Sequence, residues 1–231
     1  MQNPKKTLIL LHAALGAKSQ LQKLSQELTP YLDIHLLDFE GHGENTSDSD
    51  FTIDLFTQNL ADYILKNNLE KVSLFGYSMG GYVALNYAKN NSKNIHKIVT
   101  FGTKIDWSIE NSLKESSRLN PTKIEEKVPQ FAAQLKDLHK GNDWKEVLNK
   151  TAKMMLELGE SKSLKAADFQ QISAPVLITV GTKDNMISVE ESQFVVDHLQ
   201  NATLKKLEDF VHPIEQNNST ILTQEIIDFL N

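Results

Sequence analysis

Short runs dominated by Leu, Ile and Val recur along the chain: Thr7 to Leu11, Ile34 to Asp38, Val72 to Tyr77, Ile98 to Phe101, Val176 to Val180 and Ala202 to Leu207. Their near-continuous apolar character and short length predict strands buried on both faces. Between most of them apolar residues return at helical spacing, in Ser19 to Leu28, Phe51 to Asn67, Met79 to Lys89, Val189 to Leu199 and Thr220 to Leu230. Strand followed by helix, repeated, predicts an α/β fold in which a mostly parallel sheet is covered by helices on both faces.

The rhythm breaks between 103 and 168. No strand pattern occurs there, and helical spacing recurs in Ile124 to Leu138 and Trp144 to Leu158, punctuated by Pro121, Pro129 and Gly141. This predicts a small helical cap inserted at 103–168 into a core domain made of 1–102 and 169–231; the competing reading is extra surface helices on the main domain. Val128, Phe131, Leu135 and Leu138 share one helical face of the insertion, and Trp144, Val147, Leu148, Met154 and Met155 lie on the next. They are candidate apolar anchors for a substrate, or simply packing.

Composition narrows the function. A chain of 231 residues with 40% hydrophobic and 23% charged positions suits one large α/β domain, and no stretch approaches the roughly 20 apolar residues of a membrane span. The net charge of −6, with scattered lysines, offers no basic footprint for a phosphate backbone, so no nucleic-acid partner is expected. The absence of cysteine excludes disulfides, thiolate metal sites and a cysteine nucleophile, and fits a reducing, cytoplasmic setting. Lys5-Lys6 and the apolar run behind them imitate a secretory signal, but His12 interrupts the run, which is expected to be a strand instead. With no histidine pair at metal-ligand spacing and no phosphate-binding loop, neither a metal nor another cofactor is expected.

The sharpest chemical signal is Gly76-Tyr77-Ser78-Met79-Gly80, followed by Gly81, between an apolar strand and a helix. This is the G-x-S-x-G elbow in the strand, turn, helix setting it requires. A serine on so tight a turn has a strained backbone, and side chains two residues to either side would collide with neighbouring main chain. A serine hydroxyl also needs a base to take its proton and an acid to orient that base. Asp184, in Gly181-Thr182-Lys183-Asp184, follows directly on one predicted strand, and His212, in Asp209-Phe210-Val211-His212-Pro213, follows the last. Alone, each would pass for a turn aspartate or a surface histidine; together with the elbow they occur in the order Ser, Asp, His and at strand ends, where open α/β sheets build their sites. His35, His96, His139 and His198 fall in helix or strand patterns away from such ends and are expected to be structural or solvated.

These motifs resemble the α/β-hydrolase superfamily over nearly the whole chain, in particular its single-domain esterases, thioesterases and carbon–carbon bond hydrolases. His12-Ala13-Ala14-Leu15-Gly16 is similar to the family's His-Gly-x-x-Gly segment, and Asp38-Phe39-Glu40-Gly41-His42-Gly43 to its Asp-x-x-Gly-His-Gly turn. The resemblance implies an oxyanion hole built from the backbone N–H groups of Ala14 and Met79, with His12 and His42 organising loops. It also has departures: Ala13 and Val211 stand where the family usually has glycine, and the leading hairpin common in relatives is missing before Thr7, so a smaller sheet is expected.

The reading is therefore a serine hydrolase cleaving an ester or thioester of a small to medium acyl group, a small-molecule substrate, through an acyl-serine intermediate. Carbon–carbon bond hydrolysis and the pyruvate elimination of menaquinone biosynthesis use the same triad and stay open, as does cofactor-free peroxidation; a ligand-binding receptor of the same fold is the alternative from another class. Arg118 is the chain's single arginine, which argues against a multiply carboxylated substrate.

Overall fold

The computed structural model describes residues 5–231. Six strands form one sheet, β1 (Thr7–Leu11), β2 (Asp33–Leu37), β3 (Val72–Tyr77), β4 (Ile95–Phe101), β5 (Val176–Gly181) and β6 (Ala202–Leu207), in the order β2-β1-β3-β4-β5-β6. Every neighbouring pair is parallel. Strands β1, β3 and β5 are buried almost throughout, as their unbroken apolar runs require. The expectation of two-sided burial fails at the sheet's edges: β2 is mostly half-exposed, and β6 alternates until Leu207. Having one neighbour each, these strands present Lys205, Lys206 and Asp33 to water, and such charges discourage edge-to-edge pairing.

Helices α1 (Gln22–Leu28) and α10 (Ser219–Leu230) cover one face, while α2 (Ile53–Lys66) and α3 (Met79–Asn91) cover the other. The pleat of β1 shows the division: Leu8 and Leu10 join the core with Leu24, Leu28 and Ile226, whereas Ile9 and Leu11 join the core with Phe56, Leu60 and Val83. Thr52 caps α2 by accepting a hydrogen bond from Leu55 N–H, which places the helix start just after Phe51.

Between β4 and β5 the chain is helical, with α4 (Ile109–Ser117), α5 (Pro121–Lys127), α6 (Pro129–Leu138), α7 (Trp144–Glu157) and the short α8 (Ala166–Phe169), before α9 (Val189–His198) follows β5. The single helix expected over Ile124 to Leu138 is two, because Pro129 denies α5 a continuing N–H and drives Val128 out of helical geometry, at φ −137° and ψ 55°. Ile124, Ala132, Leu135, Trp144 and Leu148 make a small core of their own.

The chain leaves β1 toward β2 and returns on its other side as β3. The carboxyl ends of β1 and β3 thus flank a topological switch point, where open α/β sheets leave a crevice.

Candidate active site

Ser78 sits between β3 and α3 with φ 52° and ψ −115°, a conformation that L residues seldom adopt. It is tied down on both sides: its N–H donates to Phe101 O at 2.9 Å, and Thr103 Oγ1 donates to Ser78 O at 3.2 Å. The elbow glycines are required by close approach. A Cβ on Gly76 would meet the backbone of Gly80 and Gly81, and one on Gly80 would meet the carbonyl of Leu11 at the end of β1. The turn can therefore press its serine up from the sheet only with hydrogen at these positions.

The three residues picked out from the sequence come together. Ser78 Oγ lies 3.2 Å from His212 Nε2, and His212 Nδ1 lies 2.8 Å from Asp184 Oδ2. The other carboxylate oxygen, Oδ1, accepts from the N–H groups of Met186 and Ile187 at 2.8 and 3.0 Å. Burial by itself would raise the Asp184 pKa; the hydrogen bond and charge of His212, with the two main-chain donors, outweigh it and hold the carboxyl below its usual range. An ionised Asp184 in turn fixes the proton of His212 on Nδ1, leaving Nε2 as the acceptor facing the serine.

Two residues that the sequence did not single out steady the histidine. Tyr77, inside the elbow, donates its hydroxyl to His212 O at 3.0 Å. Asn217 accepts from Val211 N–H at 2.8 Å and donates through Nδ2 to Val211 O and Pro213 O, at 2.8 and 3.0 Å, bracketing His212 in a tight loop. No spacing rule marks an asparagine five residues past the histidine. Val211 needs no glycine, since its φ is negative, and the same holds for Ala13.

Ala14 and Met79, candidates for the oxyanion hole, line the same cavity as Ser78. Among the described residues no acceptor pairs with either N–H. The cavity measures about 50 Å³ and is walled by Ile53, Tyr82, Trp107, Met154, Met155, Leu158, Met186 and Ile187, with Lys104 and Glu115 as its charged members. Of the expected anchors in the insertion only Met154 and Met155 reach it. Leu135, Trp144 and Leu148 pack with Ile124 and Ala132 in a separate small cluster, while Val128 and Phe131 face water, being 51% and 36% exposed. Arg118 donates to buried Glu115 at 2.8 Å, and its guanidinium is not among the groups lining the cavity. Trp107 also borders a larger cleft of about 600 Å³ with Ser108, Leu164 and Phe194, which contains none of Ser78, Asp184 or His212.

The family of serine hydrolases described as serine aminopeptidase, S33, matches residues 2–218. The chain belongs to this family. It is a hydrolase of the α/β-hydrolase superfamily. Its relatives include the 2-succinyl-6-hydroxy-2,4-cyclohexadiene-1-carboxylate synthase of Enterobacter sp. (strain 638), 30% identical over 95 residues, which are 41% of this chain and 36% of that protein. Another is the pimeloyl-[acyl-carrier protein] methyl ester esterase of Vibrio campbellii, 30% identical over 103 residues, 45% of this chain and 39% of that protein. The match thus spans well under half the length of these two relatives. Among solved structures, a thermophilic esterase from Thermogutta terrifontis superposes with a TM-score of 0.77 at 20% identity, over 99% of this chain and 90% of that one. The chain shares the fold of that esterase over nearly its whole length.

Proposed function

We propose that this hydrolase cleaves an ester or thioester of a small acyl group through an acyl-Ser78 intermediate. The observation that carries the reading is the hydrogen-bonded chain from Ser78 Oγ through His212 to Asp184, opening into a largely apolar cavity of about 50 Å³. His212 takes the Ser78 proton as Oγ attacks the carbonyl carbon, and the charge gathering on the carbonyl oxygen is met by the N–H groups of Ala14 and Met79. The leaving alcohol or thiol then takes the proton from His212. Water, activated by the same imidazole, attacks the acyl carbon and frees Ser78.

The cavity is small, about 50 Å³ where a single water already needs roughly 10–15 Å³, and so suits an acyl group of only a few carbons. The insertion at 103–168 acts as a cap, lending Glu115, Met154, Met155 and Leu158 to the walls. On this reading no cofactor takes part, and the lack of cysteine suits a reducing, cytoplasmic setting.

A second reading follows the similarity to the Enterobacter synthase, whose name specifies a carboxylate-bearing product. Against it, the only arginine is engaged by Glu115. The deciding measurement is kcat/KM across acyl esters and thioesters of rising chain length, beside dicarboxylated substrates, with fluorophosphonate labelling of Ser78 as a check on the nucleophile. Short acyl groups should lead, and Met155→Ala should move the optimum to longer chains. A preference for dicarboxylated substrates that vanishes in Arg118→Ala would replace this reading with the second.

A further inference from the structure

Three consecutive carbonyl oxygens in the loop after β1 each face a buried histidine. Ala13 O lies 2.8 Å from His12 Nδ1, Ala14 O lies 3.2 Å from His42 Nε2, and Leu15 O lies 3.2 Å from His139 Nε2. All three rings are 0% exposed, and they run in series, with centroids 5.2 Å apart from His12 to His42 and 5.7 Å from His42 to His139. The first two belong to the motifs that resemble the superfamily. His139 does not: it ends α6, in the insertion, 124 residues from the carbonyl it faces.

Main-chain donors settle two of the tautomers. Phe39 N–H donates to His12 Nε2 at 3.2 Å, so the neutral ring carries its proton on Nδ1 and gives it to Ala13 O. Gly43 N–H donates to His139 Nδ1 at 3.0 Å, so His139 carries its proton on Nε2 and gives it to Leu15 O. His42 has a carbonyl on each side, Glu40 O at 3.1 Å and Ala14 O at 3.2 Å, and shares one proton between them.

We infer that His139 is a positioning residue for the oxyanion loop, tying the helical insertion to the geometry of the reacting centre. The inference rests on the proposed role of Ala14 N–H. The Leu15–Gly16 peptide is held at both ends, its carbonyl by His139 and its N–H by Ala13 O at 3.0 Å. That second bond closes the turn around Ala14, and the trans Ala13–Ala14 peptide, whose carbonyl is taken by His12 and Gly16, must present the Ala14 N–H on the opposite side. Removing the His139 anchor frees one peptide of a turn whose neighbour is the donor. A donor displaced by a fraction of an ångström loses most where charge develops, so the cost falls on kcat, not on substrate binding.

The test uses two neutral isosteres. In His139→Gln the amide nitrogen takes the place of Nε2 and can still donate to Leu15 O; in His139→Asn the amide oxygen takes the place of Nδ1 and serves only Gly43 N–H. Measured on a short-chain aryl ester, His139→Asn should lose about tenfold or more in kcat with KM within about threefold, and should weaken a trifluoromethyl ketone inhibitor by the same factor. His139→Gln should recover most of both. Equal kcat in wild type and a folded His139→Asn, or equal losses in Asn and Gln, would overturn the inference. Should His139→Asn fail to fold, long-range ¹H–¹⁵N spectra of wild-type protein labelled at histidine decide: His139 protonated on Nε2 supports the anchor, and protonation on Nδ1 overturns it. The reading of the site fails separately, if wild type shows no esterase activity or if Ser78→Ala retains it.

Discussion

Gly102 follows β4 with φ at +58°, and a Cβ added there would lie 3.2 Å from both Asp184 Oδ2 and His212 Nδ1. Two costs coincide at one position. An alanine would take a left-handed conformation at about 1–2 kcal/mol, and its methyl would press on the hydrogen bond that orients the imidazole. Gly102→Ala should therefore lower the denaturation midpoint and reduce kcat about tenfold, with KM little changed; wild-type turnover in the variant would show that the pair tolerates displacement. At the three residues proposed to react, Ser78→Ala or His212→Ala should reduce kcat by about 10⁶, and Asp184→Asn by about 10⁴, the latter by analogy with the trypsin case, since an amide beside Nδ1 favours the wrong tautomer. Near-native turnover in a folded Asp184→Asn protein would send the search for the acid elsewhere. Ser78, Asp184 and His212 were legible because each follows a strand within a few residues and the elbow's glycines are obligatory. Gly102, Tyr77 and Asn217 were not, since the first two are marked by contact with residues 82 or more positions away and the third by bonds to main chain, and neither kind of contact shows in a residue pattern.

At the scale of elements, strands were read to within a few residues because β1, β3 and β5 lie between two helical layers and need apolar side chains on both faces. The edge strands kept enough Leu and Ile to be found, but not the two-sided burial expected of them. Helix α4 was missed for a specific reason. Its buried positions are Ser112 and Glu115, while Ile109 and Leu113 are 66% and 55% exposed, so its apolar residues point away from the protein and no inward stripe exists to detect. It is held instead by a cap, Ser108 Oγ accepting from Asn111 N–H at 3.2 Å, and by packing against α7. Glu115 is tolerated inside because Arg118, one turn on, reaches back to it from the surface. The split between α5 and α6 was signalled by Pro129, which weighs more than the continuous apolar spacing across it.

For the whole molecule, the row of buried histidines facing the loop after β1 also sets how the fold responds to acid. Burial pushes His12 down to about 4 and His42 down to about 3, with repulsion between neighbouring imidazoles adding to the effect, and burial lowers His139 as well. In the unfolded chain each imidazole takes up a proton near pH 6.5. Between that value and the depressed folded values the unfolded state binds more protons, so stability is fully present above about pH 6.5 and is lost as pH falls through the window. Each histidine adds about 1.4 kcal/mol per pH unit to the slope once its unfolded form is protonated. Asp184, whose carboxyl is also held below its ordinary value, acts in the same direction but only further down, as pH falls past the usual carboxylate range. Two or three such imidazoles compete with a total stability of only about 5–15 kcal/mol for a typical domain, so unfolding should set in well above pH 4. Urea denaturation at intervals from pH 8 to pH 4.5 measures this directly. The midpoint should be level down to about pH 6.5 and then drop steeply, and the drop should be shallower in His139→Gln, which keeps the anchor to Leu15 but cannot titrate. A midpoint unchanged from pH 7 to pH 5 would mean that these rings are protonated in the fold, and the neutral tautomers assigned from Phe39 and Gly43 would have to be abandoned.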